Sequence, residues 1–382
     1  MENERKKPVA GVLWFTSLLL CMSLTLGIFT LAHKKKKFSE NENRMLAAFP
    51  AFSFSAVANG KYFEDLNAYF ADHFAGRDFW ITLNLTYKQL LGQKENGGVY
   101  IGKNGNLFLQ PSPVNGSALQ KNLDAIDAFA NAFPEADMYI SVVPNAVTVC
   151  SQNLPANAPV PDQNALISRI ADAVPAVSFI DVTDTLTEHR DEQIYYRTDH
   201  HWTSLGAKYA SDTILKAMDA AIPGTDYEIY TVSDSFEGTL SSKCGKHSLR
   251  DKVELYVPKN DVRYTVTYTD SMKKTASIYE PDALNGKDHY TVFFGGNHPR
   301  IDIASTADAQ RTLLVFKDSY ANCLMQFLYS SFDEIVILDP RYYYESAAAL
   351  MRQRTFTDVL FLYNADTFGT DTALADILSD DV

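Results

Sequence analysis

Cysteine is scarce in this chain, with 4 in 382 residues. Cys21 falls inside an apolar run, which leaves Cys150, Cys244 and Cys323, an odd number without CxxC spacing. That pattern excludes a disulfide framework and a cysteine zinc site, so the thiols read as buried and inert. Positive charge is short as well: 34 Lys and Arg stand against 47 Asp and Glu, a formal net charge of -13. Nucleic acid is a poor fit as a partner, because phosphate binding needs a basic face; a neutral or cationic polymer remains open. The chain has no internal repeat and no low-complexity tract. It also has no cofactor motif, and the paired histidines at 200–201 are followed by no further His or carboxylate at helical spacing. Neither a metal nor another cofactor is expected.

Long apolar runs are limited to one, Val9 to Ala32, which carries no charge and is long enough to cross a bilayer. It exceeds a usual signal-peptide core, and no small-x-small cleavage site precedes the following lysines, so it reads as an uncleaved anchor. Arg5, Lys6 and Lys7 precede it and Lys34 to Lys37 follow it. Counted by the positive-inside rule, these flanks nearly balance and leave the orientation open. The expected organisation is a tail, span and basic flank at 1–37, and a tether, helical hairpin and β-hairpin at 38–110. An α/β domain at 111–382 would follow, with a largely β insertion at about 222–304.

Aromatics are abundant, with 21 Tyr and 23 Phe. Helical spacing over 56–93, broken at Asp72-His73-Phe74-Ala75-Gly76-Arg77, predicts two helices joined by a turn. Strand residues flank Lys103-Asn104-Gly105 and predict a hairpin. From Ser117 onward, helices alternate with continuous apolar strands at 137–143, 177–182, 312–316, 334–338 and 358–362. Continuous apolar strands between helices imply a parallel sheet covered on both faces.

Chemistry concentrates in Thr198-Asp199-His200-His201-Trp202-Thr203 and Lys317-Asp318-Ser319-Tyr320. If 199–201 is extended, Asp199 and His201 share a side and His200 points away, so His201 is the candidate base and Asp199 its orienting acid. Ser319 follows a strand and opens a helix, where open α/β sheets bind ligands and helix N–H groups face a developing oxyanion. Taken alone, that segment reads first as a helix cap. Asn145 lies at another strand end and is within reach of the same crevice. Gly295-Gly296-Asn297-His298 reads as a loop turn whose amide is also a candidate oxyanion donor. Arg341, at a third strand end, either binds substrate or pairs with a buried acid.

Together these residues resemble the DHHW proteins, similar to the alginate O-acetyltransferases AlgX and AlgJ. Asp199-His200-His201-Trp202 and Asp318-Ser319-Tyr320 carry the resemblance most specifically. Glu42-Asn43-Arg44, Phe49-Pro50, Asp72-His73-Phe74, Arg77, Gly98 to Gly102, Val143-Pro144 and Asp339-Pro340-Arg341-Tyr342 support it. The resemblance implies an SGNH-hydrolase-like three-layer α/β sandwich and a triad of Ser319, His201 and Asp199. Asn145, Asn297, Arg341, Trp202 and Tyr320 would serve substrate binding or the oxyanion. It further implies an extracytoplasmic polysaccharide as acetyl acceptor and a multi-span membrane acyltransferase as donor. The family's usual Lys after the Val-Pro strand end is Asn145 here, and the Gly of Gly-Asp-Ser is Lys317. A catalytically silent glycan-binding scaffold is the alternative from another class; retention of all three triad residue types favours the enzyme.

Overall fold

The computed structural model describes residues 7–42, 44–222, 226–247 and 249–379. Arg5 and Lys6 of the basic flank, Asn43 of the Glu-Asn-Arg motif and residues 223–225 of the β-rich stretch lie outside the described residues. The chain forms two compact units, Met1–Gln93 and Lys94–Val382.

In the first unit, helix α1 (Lys7–Ala32) contains a segment, Ala10–Ala32, with mean hydropathy 2.1, long and apolar enough to cross a membrane. A signal sequence can satisfy the same criteria of length and apolar composition. Helices α2 (Lys61–Asp72) and α3 (Arg77–Leu90) follow, split at the Asp72–Arg77 turn as the spacing predicts. The motif residues around this turn form one ion-pair cluster. Arg77 grips both Glu42 oxygens at 2.7 and 2.9 Å, and Arg44 donates to Asp72 at 2.9 and 2.5 Å. The Ala47 N–H adds a 2.8 Å bond to Asp72. The Arg44 guanidinium holds the Asp72 carboxyl down at about 2.

The second unit opens with the hairpin β1 (Val99–Ile101) and β2 (Leu107–Leu109), as expected. Its centre is an eight-stranded sheet. The strands are β3 (Asp137–Val143), β4 (Ser178–Phe179), β7 (Tyr264–Tyr268), β8 (Lys273–Thr275), β9 (Arg300–Ser305), β10 (Thr312–Lys317), β11 (Glu334–Leu338) and β12 (Asp358–Asn364). They lie in the order β8-β7-β9-β11-β10-β12-β3-β4. The five strands from β11 to β4 are parallel. Both of their faces are covered, which is why they read as unbroken apolar runs. Leu314 and Phe316 of β10 pack under α4 (Gly116–Ala132) and α5 (Gln163–Ala173). Leu313 and Val315 face the opposite layer, with α6 (Ser204–Ala217) and α7 (Ala321–Leu328). This is the three-layer α/β arrangement.

The 222–304 stretch differs from the expected insertion. Its strands β7, β8 and β9 extend the main sheet, with β9 antiparallel to β11 through Ile301↔Ile337 and Ile303↔Ile335. The sheet is therefore mixed. Alternating patterning looks the same whether a strand builds its own sheet or closes the edge of another, so composition did not separate the two cases. Among the described residues of this stretch, β5 (Tyr227–Phe236) and β6 (Asp251–Pro258) form a separate ribbon, with the short helix Thr239–Cys244 between them.

Candidate active site

The loop bearing Asp199 and His201 is pinched off by an antiparallel bridge between Tyr195 and Trp202, then by the Thr203 N–H on the Ile194 carbonyl at 2.9 Å. Inside it the backbone bends and is not extended. Asp199 reaches His201 by an Asx-type turn: its Oδ1 accepts the His201 N–H at 3.1 Å and the ring Nδ1–H at 2.6 Å. His200 does not point away, as an extended segment would require. Its ring lies 3.9 Å from that of His201, with Nδ1 3.0 Å from Thr239 Oγ1.

The second carboxylate oxygen of Asp199 accepts the Thr239 N–H and hydroxyl, each at 2.8 Å. Burial alone would push this carboxyl up. The two imidazoles and the donors from His201 and Thr239 outweigh burial and hold it well below the carboxylate range. An ionised carboxylate only accepts, so it takes the Nδ1 proton of His201 and leaves Nε2 as an acceptor. Ser319 Oγ lies 2.8 Å from that Nε2. The neighbouring His200 is driven down to about 4 by burial and then by His201, and so is neutral near pH 7. The ligand atoms of Asp199, His200 and His201 lie within 4.8 Å of one another; their hydrogen bonds to one another, to Thr239 and to Ser319 account for that closeness.

Ser319 sits beyond the C-terminal end of β10, between strand and α7, and three other parallel-strand ends surround it with polar residues. Asp318 is fully buried and accepts the Tyr320 N–H at 2.9 Å, the Asn364 N–H at 2.9 Å and Asn364 Nδ2 at 2.5 Å. Burial pushes its carboxyl up. Lys317, also buried, donates to Asp339 at 3.1 Å and to Asn297 Oδ1 at 2.9 Å. Asn322 Nδ2 binds the same Asn297 oxygen at 3.0 Å. Lysine can only donate, which fixes the amide orientation and leaves Asn297 Nδ2 without a hydrogen bond among the described residues. The Ser319 N–H is likewise unbonded among them. These two are donors available to an oxyanion, and Asn297 is set by a loop whose Phe294, Gly295 and Gly296 all take positive φ.

The other candidates are committed elsewhere. Trp202 is fully buried and donates to the Tyr320 carbonyl at 2.8 Å. Tyr320 is fully buried too, its hydroxyl bonded to the His200 carbonyl and accepting Asn145 Nδ2 at 3.1 Å. Neither has surface left for a substrate, which corrects the expectation for both. Asn145 is held by Gln163, Asn364 and Tyr320 at the end of β3. Arg341 forms a two-pronged pair with buried Asp339, at 2.8 and 2.6 Å. Of its two sequence readings, pairing with a buried acid is the one observed.

Three residues escaped the sequence reading. Tyr290 stacks on His201 at 3.8 Å and 11°, and its hydroxyl donates to the Ser319 carbonyl at 2.8 Å, so it touches both halves of the site. Thr239 orients Asp199. Gly238 is needed because a Cβ there would lie 2.3 Å from Asp199 Cβ. Among the described residues, Cys150, Cys244 and Cys323 are buried free thiols, as expected.

Comparison with known proteins gives this fold its class. Residues 99–285 match the family profile described as SGNH hydrolase-like domain, acetyltransferase AlgX. The fold is therefore of the SGNH-hydrolase-like α/β kind. Residues 42–103 match the DHHW protein profile, so the chain is similar to the DHHW proteins as well as to AlgX. A solved DHHW family protein from Eubacterium siraeum DSM 15702 shares 24% identity at a TM-score of 0.65, over 74% of this chain and 95% of that one. Bacillus cereus PatB1 with a sulfonyl adduct shares 20% at a TM-score of 0.60, over 72% of this chain and 96% of that one. The O-acetyltransferase domain of Pseudomonas putida AlgJ shares 15% at a TM-score of 0.49, over 73% and 94%. No curated protein matches the chain.

Proposed function

We propose that this chain is a membrane-anchored O-acetyltransferase acting on a cell-surface or secreted polysaccharide, with its second unit outside the cytoplasm and Ser319 as nucleophile. The observation that carries the reading is the relay Asp199–His201–Ser319, at 2.6 and 2.8 Å, assembled from segments 118 residues apart. His201 Nε2 takes the Ser319 proton as Oγ attacks the acetyl carbonyl, and Asp199 stabilises the imidazolium that forms. The Ser319 N–H and Asn297 Nδ2 are the donors for the oxyanion. Collapse expels the donor's leaving group with the proton from His201 and leaves acetyl-Ser319. A sugar hydroxyl, deprotonated by His201, then takes the acetyl group and frees the serine. Water in place of the sugar makes the same site an acetylesterase. A multi-span membrane acyltransferase supplies the acetyl group, and α1 keeps the chain beside it.

The test uses the full chain in detergent with a chromogenic acetyl ester. Ser319→Ala and His201→Ala should each lower kcat/KM by about 10⁴-fold or more. A sulfonyl fluoride should label Ser319 in the unmodified chain and fail to label Ser319→Ala. Equal turnover in all three chains would overturn the serine mechanism and favour a glycan-binding scaffold.

A further inference from the structure

Helix α3 carries two apolar stripes where a surface helix needs one. At 100° per residue, Ile81 and Leu85 lie on one side, and Leu85 is buried. Phe79, Trp80, Leu83, Tyr87 and Leu90, with Leu91 at the C-terminal cap, gather within about 120° of arc elsewhere around the helix axis. All six are exposed, Leu90 to 82% and Leu91 to 69%. The start of this helix is tied to the end of α1. The Ala75 N–H donates to Thr30 Oγ1 at 3.1 Å, two residues before α1 ends, and Thr30 is buried by the contact. Trp80 Nε1 donates back to the Ala75 carbonyl at 3.2 Å.

We propose that α3 lies on the membrane surface, with its second stripe sunk into the headgroup layer of the leaflet from which α1 emerges. This rests on the reading of α1 as a retained span. If α1 crosses the bilayer, Thr30 marks the level where it leaves the hydrocarbon, and the bond to Ala75 brings Phe79 and Trp80 to that level. Trp, Tyr and Phe are the side chains that partition there, their rings in the acyl boundary and their polar edges among headgroups. Lys34, Lys35, Lys36 and Lys37 follow at the same level and suit anionic lipid phosphates. The contact also gives α1 a folded partner, so its last turn is part of the juxtamembrane unit.

The test is tryptophan quenching in full-length chains reconstituted into phosphatidylcholine–phosphatidylglycerol vesicles, with bromines near the headgroup or deep in the acyl chains. Trp80 is read as the difference between Trp14→Phe and the double variant Trp14→Phe, Trp80→Phe; the buried Trp202 is common to both. The expected result is loss of most Trp80 emission with shallow bromines and protection from aqueous acrylamide. Quenching by acrylamide without quenching by lipid would leave the stripe in water and overturn the proposal. Shielding from both quenchers would mean that protein covers it, and would overturn the proposal equally. Trp14, read as the difference between Trp80→Phe and the same double variant, reports the span separately. If neither shallow nor deep bromines quench it, the anchor itself fails, a different outcome from a failure at Trp80 alone.

Discussion

Asp199 and Asp339 are both buried carboxylates at the candidate site, held below the ordinary range against the cost of burial, yet they are held by different kinds of partner. Asp339 faces the Lys317 ammonium and the Arg341 guanidinium, a pair of basic side chains. Asp199 faces an imidazole that can gain and lose a proton, with Thr239 completing its shell. A carboxylate locked between two basic side chains builds structure; one paired with an imidazole that touches the candidate nucleophile can follow a reaction. The comparison separates scaffold from chemistry more sharply than distance to Ser319 does.

Removing each charge should break the comparison along different axes. Asp199→Asn should act first on the rate, lowering kcat by about 10⁴-fold, since the amide favours the wrong tautomer of His201. Ester turnover and a melting curve on one preparation check this. Asp339→Ala should do the reverse at first, costing about 3–5 kcal/mol of stability by stranding buried Lys317, read as a fall in the denaturation midpoint. Gly238→Ala sharpens the Asp199 side: the new Cβ must displace the carboxylate, and a shift of that kind is worth about 10²-fold in rate. Its signature is a fall in kcat at nearly unchanged KM.

A third carboxyl gives the smallest effect. Burial and the neighbouring Asp199 charge push half-buried Asp288 up to about 6, above the unfolded aspartate value of about 3.9. Between those values the folded chain binds more protons than the unfolded one, so stability should fall as pH rises from about 4 to 6. Asp288→Asn should flatten that segment of the stability–pH curve; an unchanged slope would assign it to other groups.

The two halves of the site differed in legibility for physical reasons. Asp199, His201 and Ser319 could be named because an acid two residues from a histidine, and a serine between strand and helix, are local patterns. Thr239 and Gly238 could not, since a Gly-Thr pair in a β-rich stretch reads as a turn until Asp199, about 40 positions earlier, is folded against it. Asn145 and Arg341 were placed correctly at strand ends, but whether a polar group there is free or already paired depends on Gln163 and Asp339 across the fold. The parallel strands announced themselves by burial on both faces. Strands β7 to β9 did not, because a half-buried edge leaves the same alternation as an independent sheet. The Asx turn at Asp199 brought acid and base together by a route other than strand alternation.

The sheet order also bears on how the protein is made. Strand β12, which follows the acid, the base and the serine in the chain, inserts between β10 and β3 and, among the described residues, joins the two halves of the sheet. Its Asn364 also clamps Asp318, beside the candidate nucleophile. A chain growing from its N-terminus therefore carries acid and base long before it can hold the serine against them. Truncation ahead of Asp358 would leave two half-sheets with open edges, a template for aggregation.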